Sequence, residues 1–595
     1  SLHESGLTPP ALVIIFNLLL SISGRILLIN SIKSVAYPNL LFFCFTTAVG
    51  TFVWNGVDII FRVFRVLACI FTLFPASASL ANVNSIEFRF SLLSVLAKNA
   101  EAIEFYEENG FKPIWVGGDR YARERTSYFF KELKNTSKHA LPTRRYDPDY
   151  LKNQFRKART ATELGSIEAL ITLKFLNYSS NHQTGILKPA SVDKEIVRKV
   201  PYRSAAAYLK TLLSVSPQEF FGGLHPQSKQ YTVLLSEKKR LEKIISQGGW
   251  YSELPTELLR PGDIGESVVL LRNALIKRGY LKSNSSEVYD GNLRRAVQLF
   301  QLRHGLAPDG IAGPATFSEI GKSAEERLAS VIVALERERW TNFDLGARYV
   351  VVNLPDFSTK LFEDGALIFE TRNVIGTPVD EQRTPEFSDV IEHIITNPTW
   401  NVPKSITLKE YLPEMQEDPL AHDYLELVDL DREIVPRFLV DFNEYDEETF
   451  PYDLKQMPSI TNALGLVKFM FPNQYSIYLH DTPSKPLFDL EVRAFSHGCI
   501  RLQKPFEFAY ELLKPQTSDP KAQFQEAIDT GEETVVYLRK PVQVHLIYRT
   551  AFVDELGVIN YRRDIYGRDA AIYEALIEAG IQARLVSGLK LRGFC

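Results

Sequence analysis

The chain has 595 residues, of which 45% are hydrophobic and 24% are charged. This length predicts several domains, and the composition is typical of domains with hydrophobic cores. The formal net charge is −4, without the strongly basic balance of nucleic-acid-binding proteins, so we expect no nucleic acid partner. Local basic patches are compatible with that total.

Three very apolar stretches lie within the first 80 residues. The third, residues 66–74, follows two arginines and precedes the triplet A-S-A, which is the pattern of a secretory signal peptide. The first residue is Ser, so residues 1–81 fit a signal peptide behind an over-extended start. The alternative is a retained membrane anchor, because residues 40–60 have about the length of a membrane span. Both interpretations predict that the rest of the chain is exported from the cytoplasm, with membrane contact only through this segment.

The chain has four cysteines, Cys44, Cys69, Cys499 and Cys595. No two of them form a C-x-x-C pair, which argues against a zinc site built on cysteines. If the N-terminal segment is removed, two cysteines remain, too few for a disulfide scaffold. A bridge between Cys499 and Cys595 stays open as an alternative, and it would block thiolate chemistry at Cys499.

The next two regions have helical patterns. Residues 85–255 show apolar residues at helical spacing and no catalytic cluster, which predicts a helical scaffold domain. Residues 258–322 predict a small helical module with two apolar stripes, each followed by a glycine. The stripes are Val268, Leu271 and Leu275, and then Leu293, Val297 and Phe300, with Asp290 as the helix cap.

From about residue 345 the pattern changes to strands, so residues 345–540 predict a mostly-β domain. Asp364-Gly365 joins two apolar runs and predicts a tight hairpin. The segment 398–462 is long, acidic and aromatic; an insertion of this kind in a β domain is often a functional lid, and it fits a surface excursion equally well. Residues 541–595 predict a C-terminal strand and a helical tail.

The segment "IYLHDTPSKPLFDLEVRAFSHGCIRL" carries the candidate chemistry. His480 ends an apparent strand nineteen residues before Cys499, a spacing that fits a strand, a loop and a return to one site. A cysteine attacks carbonyl groups as the thiolate, which a nearby base or cation stabilises. Arg493 and Arg501 flank the cysteine, so we expect them to lower its pKa. Gly498 permits a tight turn with backbone N–H groups facing an oxyanion.

These residues could also have purely structural roles. A single cysteine is often a small buried hydrophobe, and a single histidine is often a core or surface residue. A metal site of His480, His497 and Cys499 is disfavoured, because His497 and Cys499 are two residues apart and no fourth ligand is evident. We therefore expect no metal and favour a cysteine acyl-transfer site.

Two resemblances agree with that interpretation. Residues 260–317 resemble the peptidoglycan-binding module of cell-wall enzymes, in "YD" before the second helix, "AVQLFQ", "HGL" and "DGIAGPAT". The order "HDTP…SHGC" resembles the YkuD-type L,D-transpeptidase domain, and the wider chain, from about residue 95 to 570, is similar to the large multi-domain L,D-transpeptidases of Gram-negative bacteria. The resemblance implies a multi-domain α+β fold: helical scaffold, helical binding module and mostly-β catalytic domain with a lid-like insertion.

The resemblance also implies a reaction. Cys499 would attack the carbonyl between diaminopimelate and the terminal D-Ala of a tetrapeptide stem, and a second diaminopimelate amine would resolve the thioester to a 3→3 cross-link. His480 is favoured as the base and His497 as an orienting partner, although either could be the base. Backbone N–H groups around Gly498 and Cys499 would hold the oxyanion. Arg501, Tyr478 and Ser496 would contact substrate. No cofactor is needed, because the thioester conserves the energy of the broken amide.

The implied partners are peptidoglycan stem peptides and glycan, together with other cell-wall synthesis enzymes, and similar enzymes are acylated by carbapenems. Three alternatives stay open: an L,D-carboxypeptidase that uses water, a protein-to-peptidoglycan ligase or cleaver with the same site, and a non-catalytic wall-binding protein. The presence of both His480 and Cys499 argues against the non-catalytic wall-binding protein, because a homologue that has lost catalytic activity would often have lost one of the two residues.

Overall fold

A computed structural model describes Val83 and residues 85–581. The predicted signal or anchor segment 1–81, Cys44, Cys69, Cys595 and the end of the predicted tail lie outside the described residues. Within them the predicted multi-domain α+β fold is confirmed, with helices before residue 341 and a mainly β region after it. No helix among these residues has both the length and the apolar character that crossing a bilayer requires.

The first ten helices form the scaffold and a connection to the module. They are α1 (Ile86–Leu96), α2 (Ala100–Glu108), α3 (Arg120–Lys134), α4 (Thr143–Tyr146), α5 (Pro148–Lys157), α6 (Ala161–Thr184), α7 (Pro189–Val192), α8 (Ala205–Ser214), α9 (Pro217–Gly222) and α10 (Lys229–Ser246), with a 3₁₀ turn at Thr136–His139. The long helix α6 begins with a capping box of Thr160 and Glu163. Its buried Glu168 accepts hydrogen bonds from the backbone N–H groups of Ile114 and Val116, which ties the preceding loop to the helix.

Three helices form the small module: α11 (Glu266–Lys277), α12 (Gly291–Arg303) and α13 (Pro314–Gly321). Asp290 caps α12 by accepting from the N–H groups of Asn292 and Leu293, as its position in the sequence predicts. The helix that follows, α14 (Ala324–Trp340), begins with a capping box of Ser323 and Glu326 and is buried along most of its length, including its charged end.

The β region is a sheet that closes on itself. Its strands are β1 (Arg348–Asn353), β2 (Ser358–Glu363), β3 (Ala366–Gly376), β4 (Ser388–Thr396), then β9 (Val467–Met470), β10 (Leu479–His480), β11 (Ala494–Ser496), β12 (Ile500–Leu502) and β13 (Thr534–Ile547). The order is β11-β3-β12-β10-β9-β4-β13-β1-β2, and β2 pairs with β3 again, which closes the ring. Asp364 and Gly365 make the β2–β3 hairpin turn with positive φ values of 48° and 79°, so the predicted hairpin is confirmed.

One strand differs from the sequence pattern. "TVVYL" and "VQVHLIY" appear as separate strands in the sequence, yet both, as far as Ile547, belong to β13, which runs through the boundary drawn at residue 540. The pairing with β4 shifts between Tyr537 and Val542, where Pro541 lies. Because proline has no N–H for the ladder, it interrupts the pairing without ending the strand.

The segment 398–462 folds as a small unit with its own sheet and core. Its elements are β5 (Trp400–Asn401), α15 (Lys404–Ile406), a π-helical turn at Thr407–Tyr411, α16 (Leu412–Glu417), β6 (Glu426–Val428), β7 (Ile434–Val435) and β8 (Asp453–Gln456), with 3₁₀ turns at Arg437–Leu439 and Phe442–Glu444. The strand order is β5-β8-β6-β7. A hydrophobic core that includes Trp400, Met415 and Leu454 holds it together.

The remaining elements are α17 (Pro505–Leu513), α18 (Pro520–Asp529), β14 (Ala551–Val553), β15 (Ile559–Tyr561) and α19 (Arg568–Glu578), with 3₁₀ turns at Leu354–Asp356 and Lys485–Asp489. Helices α17 and α18 pack into the main core of the closed sheet through residues such as Phe508 and Phe524. The hairpin β14–β15 lies against α10 and α14, so the C-terminal part of the chain contacts the helical half.

Candidate active site

The candidate residues of two short strands share one face of the closed sheet. β10 and β12 are parallel neighbours in which Leu479 pairs with Ile500 and His480 with Arg501. Leu479 and Ile500 are fully buried in the main core. Because side chains alternate along a strand, the residues on either side of them point to the opposite face. Tyr478, His480, Cys499 and Arg501 therefore share that face.

Cys499 lies on this face, and it forms no disulfide within the part of the chain that the structure describes. Its Sγ lies 3.6 Å from the carbonyl oxygen of Ser476. Burial raises the pKa of the thiol to about 11, while hydrogen bonds from Tyr478 and the charge of Arg501 act to lower it. Arg501 therefore acts in the predicted direction, but desolvation of the thiolate outweighs the stabilising contacts, so the net shift of the thiol pKa is upward.

Arg493, the other arginine expected near the thiol, is used elsewhere. Its guanidinium donates to the backbone carbonyls of Asn373, Leu490 and Phe357 and lies over the ring of Phe357. It therefore fixes the edge where β11 meets β3, and Arg501 is the arginine whose charge acts on Cys499.

His480 is 4% exposed, and its ring lies 5.6 Å from the ring of Tyr478, centroid to centroid. Burial and the charge of Arg501 lower the pKa of His480 to about 3, partly offset by backbone groups of Asp481 and Leu464. Its Nδ1 atom has no hydrogen-bond partner among the described residues. The imidazole is therefore neutral at physiological pH and has one ring nitrogen available.

Tyr478 occupies a position between the two groups that the sequence assigned to chemistry. Its hydroxyl is hydrogen-bonded to Cys499, and burial raises the pKa of the phenol well above its ordinary value. The side chain packs against both the main core and the core of the insertion. The sequence assigned Tyr478 to substrate contact; the geometry adds a hydrogen bond to Cys499.

The turn that presents Cys499 is held by side-chain hydrogen bonds. The buried Ser496 Oγ donates to the Cys499 carbonyl at 2.5 Å and accepts from the Gly498 N–H at 3.2 Å. Thr384 Oγ1 donates to the Gly498 carbonyl at 2.7 Å. Gly498 has φ +112°, and a Cβ there would lie 3.0 Å from Ile477 Cδ1. These contacts give Ser496 a positioning function, and they use the Gly498 N–H that the sequence assigned to the oxyanion.

The loop before β10 is ordered by one amide side chain. Asn473 Nδ2 donates to the carbonyls of Phe471 and Ile477, and its Oδ1 accepts from the N–H groups of Tyr475 and Ile477. Ser476, whose carbonyl faces the thiol, takes a positive φ of 54° in this loop. Asn473 thus sets the geometry of one wall of the site.

The insertion reaches the catalytic motif directly. Glu410 Oε1 lies 2.6 Å from His497 Nε2, and Lys409 forms an ion pair with Glu381 at 3.1 Å. Both residues belong to the π-helical turn of the insertion. His497 is exposed and points to the insertion, whereas His480 is buried beside Tyr478, so the two candidate bases have different surroundings.

Among the described residues, no group of three or more His, Cys, Asp or Glu side chains is arranged to hold a metal ion. The contacts of Thr384, Asn473 and Glu410 were not foreseen from the sequence. An asparagine in a "FPNQY" loop is a recognisable turn signal. For Thr384 and Glu410 no local signal exists, because their contacts cross more than 80 residues of chain.

Comparison with known proteins follows the same division of the chain. Residues 347–536 match the family model "YkuD: L,D-transpeptidase catalytic domain". Residues 100–237 match "Scaffold domain", and residues 264–320 match "Putative peptidoglycan binding domain". The chain therefore combines an L,D-transpeptidase catalytic domain with a scaffold domain and a peptidoglycan-binding domain.

A Haemophilus influenzae protein named "Putative L,D-transpeptidase" is 33% identical over 226 residues, which are 38% of this chain and 45% of that protein. The chain thus spans less than half the length of this curated relative. An L,D-transpeptidase structure from Xylanimonas cellulosilytica matches with 14% identity and a TM-score of 0.16, covering 50% of this chain and 100% of that one. One from Stackebrandtia nassauensis matches with 16% identity and a TM-score of 0.20, covering 50% and 97%.

Proposed function

Because residues 347–536 form an L,D-transpeptidase catalytic domain, we propose that this protein forms 3→3 cross-links in peptidoglycan through a thioester on Cys499. The observation that carries the proposal is the shared sheet face, on which Cys499 lies beside Tyr478, His480 and Arg501. The donor is a tetrapeptide stem that loses its terminal D-Ala. The peptidoglycan-binding domain at residues 264–320 supports the wall as the place of action.

In the first half-reaction, the sulfur of Cys499 bonds to the carbonyl carbon between diaminopimelate and D-Ala. With a thiol pKa of about 11 and an imidazole pKa of about 3, the resting site holds a neutral thiol and a neutral His480. The proton therefore leaves the thiol only as the sulfur attacks, and His480 is the neutral base that takes it. The C–N bond then breaks, the proton passes to the leaving amine, and D-Ala departs.

The oxyanion of the tetrahedral intermediate needs donors that are not already used. The Gly498 N–H is bonded to Ser496 Oγ. The Cys499 N–H donates no hydrogen bond to any of the described residues, so it is the available backbone donor at the nucleophile. The guanidinium of Arg501, on the same face, suits the carboxylate of the stem.

In the second half-reaction, the side-chain amine of another diaminopimelate attacks the thioester carbonyl. A new amide forms, the C–S bond breaks, and the proton of the amine returns to the sulfur. Water in place of the amine would release a tripeptide, which is L,D-carboxypeptidase activity. A protein amine or a protein–wall bond would make the enzyme a ligase or a cleaver. The insertion, joined to the motif through Glu410 and His497, is the candidate that selects the acceptor.

We extend the proposal to location and partners. The A-S-A pattern and apolar stretches of residues 1–81 support export to the periplasm or cell envelope. Stem peptides and glycan are the proposed partners, along with other enzymes of wall synthesis. A carbapenem, which offers a reactive amide to the same thiol, is the proposed covalent inhibitor.

The test incubates the purified protein separately with disaccharide-tetrapeptide and with a carbapenem, and measures both reactions by intact mass spectrometry. We expect a drug adduct on Cys499 and a cross-linked dimer that lacks one D-Ala. Cys499→Ala should lose both, whereas the matched control Cys595→Ala should keep both. The control also tests the open alternative of a Cys499–Cys595 bridge, because reaction of the wild-type protein without a reductant requires a free Cys499.

The other outcomes separate the alternatives. A drug adduct with only a tripeptide product would identify a carboxypeptidase. Folded protein with neither adduct nor product would favour a wall-binding protein. Shortening the segment 398–462 should change the choice or rate of the acceptor and leave acylation in place; loss of acylation from a folded variant would remove the lid from the proposal.

A further inference from the structure

The scaffold domain contains an apolar groove surrounded by positive charge, far along the chain from the catalytic motif. It lies between α3 and α5 and has a volume of about 450 Å³. Its floor is formed by Phe130 and Phe155, whose rings meet edge to face with centroids 5.7 Å apart. The main scaffold core continues directly beneath, because both residues pack against it.

The rim of this groove is cationic. The lining includes five basic side chains and no carboxylate, namely Arg123, Lys131, Lys134, Lys152 and Arg156. Lys134 is 3.6 Å from Asp149 in an ion pair whose side chains are 55% and 86% exposed, so its charge is only weakly compensated. The other four form no ion pair with any of the described residues. Lys131 is also near the ring of Tyr128, at 5.7 Å.

This concentration of charge contrasts with the rest of the chain. Residues 120–159 hold twelve Lys or Arg and four Asp or Glu, although the whole chain has a net charge of −4. Cations that repel one another around an apolar surface do not stabilise the fold. Their arrangement complements a ligand that has an anionic head and an apolar tail.

We infer that the groove binds one anionic phospholipid, with its phosphate on the basic rim and the start of an acyl chain against Phe130 and Phe155. A volume of about 450 Å³ falls within the range of small-ligand sites, roughly 300–1,000 Å³. A stable protein partner would need a far larger contact, about 800 Å² on each side. A nucleic-acid duplex would use the cations and leave the apolar floor uncovered, because its bases are already stacked on one another. Among anionic ligands, a lipid therefore fits the groove best.

Lipid binding here would not depend on the catalytic reaction. In the anchor interpretation of residues 1–81, the scaffold directly follows the bilayer along the chain. A single acyl chain gives only marginal membrane attachment. Each Lys or Arg near an anionic bilayer strengthens that attachment further. The groove would then fix the orientation of the scaffold on the membrane surface.

The experiment uses the full chain in a neutral detergent and native mass spectrometry. The probes are phosphatidylglycerol and phosphatidylcholine with the same acyl chains, inorganic phosphate, and a poly-glutamate peptide. The test variant is the triple substitution Lys131→Glu/Lys152→Glu/Arg156→Glu. Its matched control is Lys138→Glu/Arg144→Glu/Arg145→Glu, which makes the same charge change at exposed residues of the same segment outside the groove lining.

We expect preferential binding of phosphatidylglycerol. The groove triple should weaken it by more than about a hundredfold, and the control triple by less than about threefold. Phe155→Gln, which keeps the rim, should weaken long-chain lipid about tenfold and leave inorganic phosphate unchanged. Circular dichroism of each variant establishes that the scaffold is folded.

Four results would overturn the inference. Equal loss in both triples would mean diffuse electrostatic attraction. Loss in neither would place the lipid on other apolar segments of the chain. Equal affinity for inorganic phosphate and lipid, insensitive to Phe155→Gln, would mean a phosphate site without an acyl subsite. Tight binding of poly-glutamate with indifference to lipid would mean an acidic protein partner.

Discussion

Replacing Tyr478 by Phe removes the hydroxyl that is hydrogen-bonded to Cys499 and little else. The ring, which packs against the main core and the core of the insertion, stays in place. Burial holds the thiol pKa at about 11, and two hydrogen bonds from Tyr478 act against it. The larger comes from the Tyr478 backbone, which the substitution keeps, and the other comes from the hydroxyl, which it removes. Without the hydroxyl we expect the pKa of Cys499 to rise further.

The size of the effect follows from the charge of the thiolate. A hydrogen bond to a charged group contributes about 1.5–3 kcal/mol, and about 1.4 kcal/mol corresponds to a tenfold change. At any pH below the pKa, alkylation by iodoacetamide is proportional to the thiolate fraction. Tyr478→Phe should therefore react about ten- to a hundredfold more slowly at each pH from 7 to 10. Acylation by a carbapenem should slow by a similar factor, because it uses the same sulfur.

Intact mass spectrometry over time gives both rates. The matched control is Tyr475→Phe, a tyrosine of the same loop whose hydroxyl bonds to Gln474 and not to the thiol. The control should keep the rates of the wild-type protein. Equal rates for Tyr478→Phe and wild type would refute a hydrogen bond that stabilises the thiolate. A wild-type profile that levels off near pH 8.5 would refute the dominance of burial.

Three further predictions concern the turn, the insertion and acid stability. Gly498→Ala should slow carbapenem acylation by more than about tenfold, because φ +112° strains any residue with a Cβ and that Cβ would lie only 3.0 Å from Ile477 Cδ1. Gly567→Ala, with φ +70° and open space around its Cβ, should be acylated at the normal rate. Glu410→Gln should change acylation by less than about fivefold, since its pair with His497 is 35–39% exposed and worth about 0–1 kcal/mol; abolished acylation would contradict this. Below pH 6.5 the unfolded chain protonates His480, while the folded chain does so only near pH 3. The contribution of His480 to the free energy of unfolding should therefore be complete above about pH 6.5. Between pH 6.5 and pH 3 it should fall by about 1.4 kcal/mol per pH unit. His480→Gln should remove that part of the slope measured by calorimetry, and an unchanged slope would contradict the burial of a neutral imidazole.

The sequence was sufficient for the face that carries the site. Alternation in "YLH" and "CIR" places Tyr478, His480, Cys499 and Arg501 together as soon as the two strands are neighbours. Adjacency of β10 and β12 is expected for a strand, a loop and a return. The Asp364-Gly365 hairpin could also be predicted from the sequence. The turn type requires positive φ at both residues, and the Asp-Gly pair is favoured there.

The thiol pKa and the ion pairs around the site could not be predicted from the sequence. An arginine two residues from a cysteine indicates a lowered pKa only if the thiol is solvated, and the degree of burial depends on the whole domain. The same applies to Glu410, which is 87 residues from His497 along the chain. Contacts of this kind follow from how the insertion lies on the sheet, and no local pattern encodes that.

Charged residues at the end of helix α14 are connected, through a series of contacts, to the backbone beside Cys499. A stretch of alternating charges such as "LERER" normally indicates a solvated helix, yet here it is buried. Arg337 joins Glu386 at 2.8 Å to Asp569 at 2.8 Å, so the helix end is tied both to the segment before β4 and to α19. A buried pair of this kind adds little net stability compared with apolar packing, but loss of one partner leaves a buried charge that costs about 3–5 kcal/mol.

The buried ion pairs of Arg337 therefore matter mainly because they hold backbone segments in position. Glu386 also lies near Arg568, whose Nη2 donates to the Thr384 carbonyl at 3.0 Å. Thr384 in turn donates to the Gly498 carbonyl, one residue before Cys499. The buried charges of α14 and α19 thus hold the backbone at Thr384, and the Thr384 side chain in turn holds the turn at Gly498. For this reason the catalytic strands alone do not define the site: its geometry also depends on the helix that leads from the peptidoglycan-binding domain into the sheet.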